Sequence, residues 1–131
     1  MTIEERAKKG AELKASGACN CTQSVIKAFQ DKLNVDEDSL MKIASGFAGG
    51  MGCMEGTCGA LVGAIMVAGI LSQGQRTPPI SKNLLTKFKE ISGATICKEL
   101  KTPVNGKVLC ECPQCVANAI TLVGENFPEL D

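Results

Sequence analysis

Between Gly56 and Gln75 no residue carries a charge, and inside that window Gly59, Ala60, Gly63, Ala64 and Ala68 recur at helical spacing. Small residues so spaced let neighbouring backbones approach closely. The stretch predicts a buried central helix over Ala60 to Leu71, with the rest of the chain packed around it. It is too short for a membrane span, which needs about 20 predominantly apolar residues. A cysteine, Cys58, stands where this helix begins, in Thr57-Cys58-Gly59-Ala60-Leu61-Val62-Gly63. A helix start leaves backbone N–H groups unpaired and carries partial positive charge. A thiolate there is stabilised, which suits a metal ligand or a redox thiol. Free cysteine is also an ordinary core filler, so the meaning of Cys58 depends on the other cysteines.

The flanking segments are helical too. Thr2 to Ser16 reads as a first helix, capped by Thr2, with Glu4 and Glu5 at its positive end and Gly17 as its stop. Thr22 to Leu33 reads as a second, with Val25, Ile26, Phe29 and Leu33 on one face and Cys21 one turn before Val25. Asp36 to Ser45 reads as a third, with Leu40, Ile43, Ala44 and Phe47 inward. A glycine-dense loop, Ser45 to Gly52, follows; without GxxxxGK[ST] or a preceding strand it is no phosphate loop. Its glycines allow positive φ angles and a close backbone approach to a cluster or to the next helix. Gly74 to Pro79 reads as a breaker. Ser81 to Ser92 makes a fifth helix with Leu84, Leu85, Phe88 and Ile91 inward, and Gly93 ends it. Cys97 sits in one helical turn. Cys112-Pro113 opens the last helix, lined by Val116, Ala119, Ile120 and Val123. No alternating strand pattern, repeat or second domain shows. The expectation is an all-α, single-domain bundle over residues 1–131, with five or six helices around a central helix at 58–71.

Composition narrows the function. The 131 residues carry 14 basic and 14 acidic side chains, so nucleic acid and anionic membrane surfaces are not expected partners. The N-terminus, Met1-Thr2-Ile3-Glu4-Glu5, has no apolar stretch of a signal peptide, which points to a cytoplasmic protein. In that compartment the eight cysteines read as metal ligands or redox thiols, not structural disulfides. Histidine is absent. That removes Cys–His and Ser-His-Asp catalysis, Cys2His2 zinc and CxxCH haem attachment, so no haem is expected. Three cysteine groups fall at or beside helix starts: Cys19/Cys21, Cys53/Cys58 and Cys110/Cys112/Cys115. Their spacing fits neither the common ferredoxin runs nor a zinc ribbon. Cys112-Pro113-Gln114-Cys115 is a lone CxxC outside any βαβ context.

These motifs carry a family resemblance. Asn20-Cys21-Thr22-Gln23-Ser24-Val25 looks like an NCxQxV element, Ser45 to Gly52 like a Gly-rich loop, and Cys58-Gly59-Ala60-Leu61-Val62-Gly63 like CGAxxG. Phe88, Gly93 and Cys97-Lys98-Glu99-Leu100 resemble a third cysteine block, and Cys112 is the best match for a fourth cysteine. Over nearly its whole length the chain resembles the small proteins named for a C-GCAxxG-C-C pattern, a family inferred to be redox-active. It is also similar to the iron–sulfur part of split-Soret cytochromes, without their haem-binding elements. The resemblance implies that Cys21, Cys58, Cys97 and Cys112 meet at one site.

An all-thiolate set without histidine favours an iron–sulfur cluster that passes electrons to a redox partner protein. Gly49, Gly50, Gly52 and Gly59 are the candidate backbone contacts to it. Cys19, Cys53, Cys110 and Cys115 exceed the four-cysteine pattern and stand as alternative ligands, a second cluster or a resolving dithiol. Two other readings stay open. One is thiol–disulfide exchange through Cys112/Cys115 or Cys53/Cys58, with Cys58 or Cys112 as a low-pKa nucleophile. The other is a structural four-thiolate zinc site. The Gly/Ala surfaces and methionines also suit packing on a second copy, as a homodimer.

Overall fold

The computed structural model describes residues 1–131 and is all-helical. Its helices are α1 (Ile3–Ala15), α2 (Cys21–Ala28), α3 (Glu37–Ala44), α4 (Gly59–Leu71), α5 (Thr77–Ser92), α6 (Cys97–Lys101) and α7 (Cys112–Asn126). There are seven, against the five or six expected, because the turn at Cys97 is a short helix of its own. No helix is long and apolar enough to cross a membrane.

Local chemistry sets most boundaries. Thr2 caps α1 in a reciprocal pair with Glu5, and Asp36 caps α3 through the Ser39 N–H at 2.9 Å. Asn20 does the same for α2: its side chain accepts from Gln23 N–H at 2.9 Å while the Gln23 side chain accepts from Asn20 N–H at 3.2 Å. This capping box makes Cys21, not Thr22, the first residue of α2. The asparagine and glutamine of the NCxQxV element are therefore cap residues. The helix also stops earlier than its apolar pattern suggests: it ends at Ala28, and a 3-10 turn over Gln30–Lys32 carries the chain on. α5 begins at Thr77, so Pro78 and Pro79 lie in its first turn and are no breaker; proline there forfeits only N–H groups that would be unpaired anyway.

α4 is central, with Ala60, Leu61, Ala64, Val67 and Ala68 fully buried. Gly63 lets α2 lie against it, since a β-carbon there would stand 2.8 Å from the Thr22 carbonyl oxygen. α7 packs on α1, α4, α5 and α2. Three side chains expected inside are exposed: Ile43, Leu85 and Ile91. α3 meets the core along Leu40 and Ala44, and α5 along Leu84, Phe88 and Ser92. Those stripes are narrower than the apolar content suggests, and the three outliers lie beside them. The core also holds a charge: Arg6 is 1% exposed, donates to both Asp31 oxygens at 2.6 and 3.0 Å and to the Ala28 carbonyl at 2.8 Å, and lies over the Phe29 ring.

Candidate functional site

The starts of four helices meet around one cavity of about 130 Å³. Cys21 reaches it from the first residue of α2, Cys58 from the residue before α4, Cys97 from the first residue of α6, and Cys112 and Cys115 from the first turn of α7. Lys14, Asn20, Ala48, Gly49, Gly59 and Lys101 complete the wall. Cys21, Cys58, Cys97 and Cys115 are buried, and Cys112 is half-buried. All eight cysteines are free thiols.

Backbone pairing brings Cys58 and Cys97 together. Thr57 and Ile96 form an isolated antiparallel bridge. Across it Cys58 N–H donates to the Thr95 carbonyl at 2.7 Å and Cys97 N–H to the Gly56 carbonyl at 3.0 Å. The Gly-rich segment closes over this pairing in an unusual turn: Gly49, Gly50, Met51 and Gly52 all have left-handed φ, between 59° and 79°. At Gly50 the missing side chain matters, because a β-carbon would lie 2.5 Å from that of Cys97. Gly59 plays the same part toward Cys21, whose sulfur lies 2.5 Å from where a β-carbon would be.

Of the four candidate glycines, Gly49 and Gly59 line the cavity and Gly50 backs onto Cys97. Gly52 does not line the cavity, and a side chain added there would meet nothing within 4 Å. Cys19 and Cys53 do not line the cavity either. Cys19 is half-buried in the turn after α1, and Cys53 is exposed on the Gly-rich turn, where its sulfur faces the Gly50 carbonyl at 3.7 Å. Cys110 is buried behind the wall, against Cys115.

Cys115 neighbours both Cys58 and Cys110, and its thiol donates to the Cys110 carbonyl at 3.7 Å. The Cys115 thiol beside it, reinforced by burial, pushes the Cys58 thiol strongly up. The N–H groups of Leu61 and Ala60 at the start of α4 pull the other way, as a helix start should, but more weakly. The expected low-pKa thiolate at Cys58 is therefore not present; as a thiol it is held protonated. Donation to Cys110 likewise raises Cys115, to about 11. Burial raises Cys97. Cys110 is the exception: it accepts from Cys115 and feels the Lys101 charge, which together lower it to about 7. The Lys101 ammonium reaches Cys115 Sγ at 3.0 Å and the Cys110 carbonyl at 2.6 Å.

Sequence reasoning did not single out Lys101, and it grouped Cys115 with the surplus cysteines. Helical spacing carried a signal for both. Lys101 is four residues after Cys97 and Cys115 is three after Cys112, each pair on one helix face. The thiols ring the cavity without converging: no three cysteine, aspartate or glutamate side chains are grouped to hold a single metal ion.

The cavity thus gathers the cysteines of the C-GCAxxG-C-C pattern. A family model described as "Putative redox-active protein (C_GCAxxG_C_C)" matches residues 19–126. The chain belongs to this family. The match begins at Cys19 and runs to the last residue of α7, so it takes in every cavity-lining residue except Lys14. Neither the comparison with curated proteins nor that with solved structures gave a match. Within this redox-active family the arrangement offers up to five thiolates, two lysine ammonium groups and the amides of a helix start around one small, mostly apolar space.

Proposed function

We propose that the cavity holds an iron–sulfur cluster on Cys21, Cys58, Cys97 and Cys112, and that this chain passes electrons through it to a redox partner protein. The observation that carries the reading is that cysteines from four separate helix starts line one cavity. The donor chemistry fits: every candidate ligand is a thiol, and no histidine exists to replace one. The spread of the thiols fits as well. A zinc ion needs four sulfurs, each about 2.3 Å from one centre, and the side chains are not grouped that way. A cluster spreads its four thiolates over more than one iron, so they need not meet at one centre.

When bound, the cluster supplies one-electron chemistry at a potential set by its surroundings. The chain's own residues then have defined tasks. Ligation requires the thiols to lose their protons, so loading releases protons and is favoured as pH rises. The Ala60 and Leu61 N–H groups at the start of α4 favour negative charge on the Cys58 sulfur. Lys101 and Lys14 place two cations on the wall; no carboxylate pairs with either. Gly59 leaves room for the Cys21 sulfur.

The test is purification from iron-replete cells without oxygen, with iron and sulfide assays and a visible spectrum. The expected result is coloured protein holding both elements, lost in Cys21→Ala, Cys58→Ala and Cys97→Ala and kept in Cys19→Ala and Cys53→Ala. Colourless wild-type protein with neither element would refute the reading.

A further inference from the structure

Cys110, Cys115 and Lys101 form a group that the reading above leaves without a task. Cys110 ends the segment that joins α6 to α7, between exposed Leu109 and Glu111. Cys115 lies in the first turn of α7 and lines the cavity. Its thiol reaches Cys110, donating to the Cys110 carbonyl oxygen at 3.7 Å. Lys101 ties the two together, with its ammonium 3.0 Å from Cys115 Sγ and 2.6 Å from the Cys110 carbonyl. Asn118 brings another donor to within 3.8 Å of Cys110 Sγ, and is itself held by Ser92 at 2.9 Å. Two neighbouring cysteines are thus tied by one cation, with a donor placed at each sulfur.

We propose that Cys110 and Cys115 are a redox-active dithiol that exchanges with the disulfide bond of a thiol–disulfide substrate at the edge of the cavity. One of the two sulfurs attacks the substrate disulfide. It forms a mixed disulfide and releases the first substrate thiol, which carries away the attacking group's proton. The second cysteine attacks the protein sulfur of that mixed disulfide and releases the second substrate thiol with the second proton. The substrate gains two electrons and two protons, and the protein is left with a Cys110–Cys115 disulfide. The Cys115 thiol already lies against the Cys110 backbone, and turning the Cys110 side chain toward it closes the ring. The lone CxxC would pair Cys112 with Cys115; the fold instead sets the Cys115 thiol against Cys110. The dithiol stands on its own geometry and does not require the cluster.

The experiment uses the full chain as isolated, kept anaerobic, reduced, and then exposed to glutathione disulfide. Cleavage after Lys107 leaves Cys110, Cys112 and Cys115 on one C-terminal peptide. A second cleavage after Glu111 separates Cys110 from the other two. The expected result is two fragments that stay joined until a reductant is added, in wild type and in Cys112→Ser alike. Cys110→Ser and Cys115→Ser should lose the link and instead accumulate a glutathione adduct on the remaining partner. Iron and sulfide are measured on the same samples, and circular dichroism checks that each variant is folded. A link from Cys115 to Cys112 or Cys58, or no link in folded wild type, would overturn the proposal. Loss of iron in Cys110→Ser and Cys115→Ser would overturn it too, by making both of them ligands. A Cys110–Cys115 link in protein that never holds iron supports the dithiol while the cluster reading fails. Iron-loaded protein that forms no link separates the two the other way.

Discussion

Two glycines of α4 face opposite surroundings, and alanine at each should move stability in opposite directions. A β-carbon at Gly59 would lie 2.5 Å from Cys21 Sγ, 2.7 Å from Thr22 Oγ1 and 3.0 Å from the Ala48 α-carbon. Ordinary contact begins at 3.4 Å, so the Cys21 sulfur must retreat by about 0.9 Å and the Ala48 backbone by about 0.4 Å. Overpacking of this kind costs roughly 1–3 kcal/mol. Gly69 is in the same helix, and its nearest neighbour would be the Thr77 methyl at 3.9 Å. There only the backbone effect acts, and Gly→Ala inside a helix stabilises by roughly 0.5–1 kcal/mol. Gly59→Ala should therefore be less stable than wild type and Gly69→Ala more stable, with the two apart by about 1.5–4 kcal/mol. For a chain of this size that is a difference in Tm of about 6–16 °C, at about 4 °C per kcal/mol. Thermal and urea unfolding followed by circular dichroism, in reducing buffer without oxygen, measures it. Iron content of the same proteins reads the site: Gly59→Ala should lose iron because Cys21 is displaced, and Gly69→Ala should keep it. A Gly59→Ala protein as stable as Gly69→Ala would refute the packing argument, since the clash would then be absorbed at no cost.

Other perturbations separate further links in the structure. Asn20→Ala removes the cap of α2 and should cost about 1 kcal/mol; it should also lower iron retention, because the cap orients the residue that carries the Cys21 thiol. Gly52→Ala places a side chain at φ +79° in open space, which should cost about 1–2 kcal/mol in urea unfolding and leave iron content unchanged. The Asp31 carboxyl is held at about 2, below its ordinary 3.8, chiefly by the hydrogen bonds from Arg6. A depressed carboxyl stabilises the fold above the unfolded value and loses that contribution as pH falls through the folded one. Stability should therefore drop between about pH 4 and pH 2, and Asp31→Asn should flatten that limb of an acid unfolding series. Asp31 is 55% exposed, so solvent screening limits its contribution to about 1 kcal/mol.

The sequence alone determined what depends on near neighbours in the chain. The charge-free, Gly/Ala-rich run from Gly56 to Gln75 marks α4 as buried, because only a helix surrounded by protein dispenses with a polar face. Periodicity placed Val25, Ile26, Phe88 and Ile120 inside, and all are fully buried. The family pattern singled out Cys21, Cys58, Cys97 and Cys112, which line one cavity. The start of α2, expected at Thr22, lies at Cys21 because Asn20 and Gln23 form a capping box, a local signal present in their spacing but not used.

Tertiary structure decided the rest, because it depends on contacts between distant segments. The bridge between Thr57 and Ile96, which sets Cys58 beside Cys97, joins residues 39 apart in sequence. No local signal shows which way Ile43, Leu85 and Ile91 turn, because only the partner helices fix the width of the buried stripe. The Arg6–Asp31 pair joins α1 to the turn after α2. The largest reversal is at Cys58. A helix start by itself predicts a thiolate, and the Ala60 and Leu61 amides do act that way. Burial and a hydrogen bond to Cys115, 57 residues further along the chain, outweigh them. Helix position is local, but protonation depends on what the fold brings alongside, and there a thiol in contact with a second thiol keeps its proton.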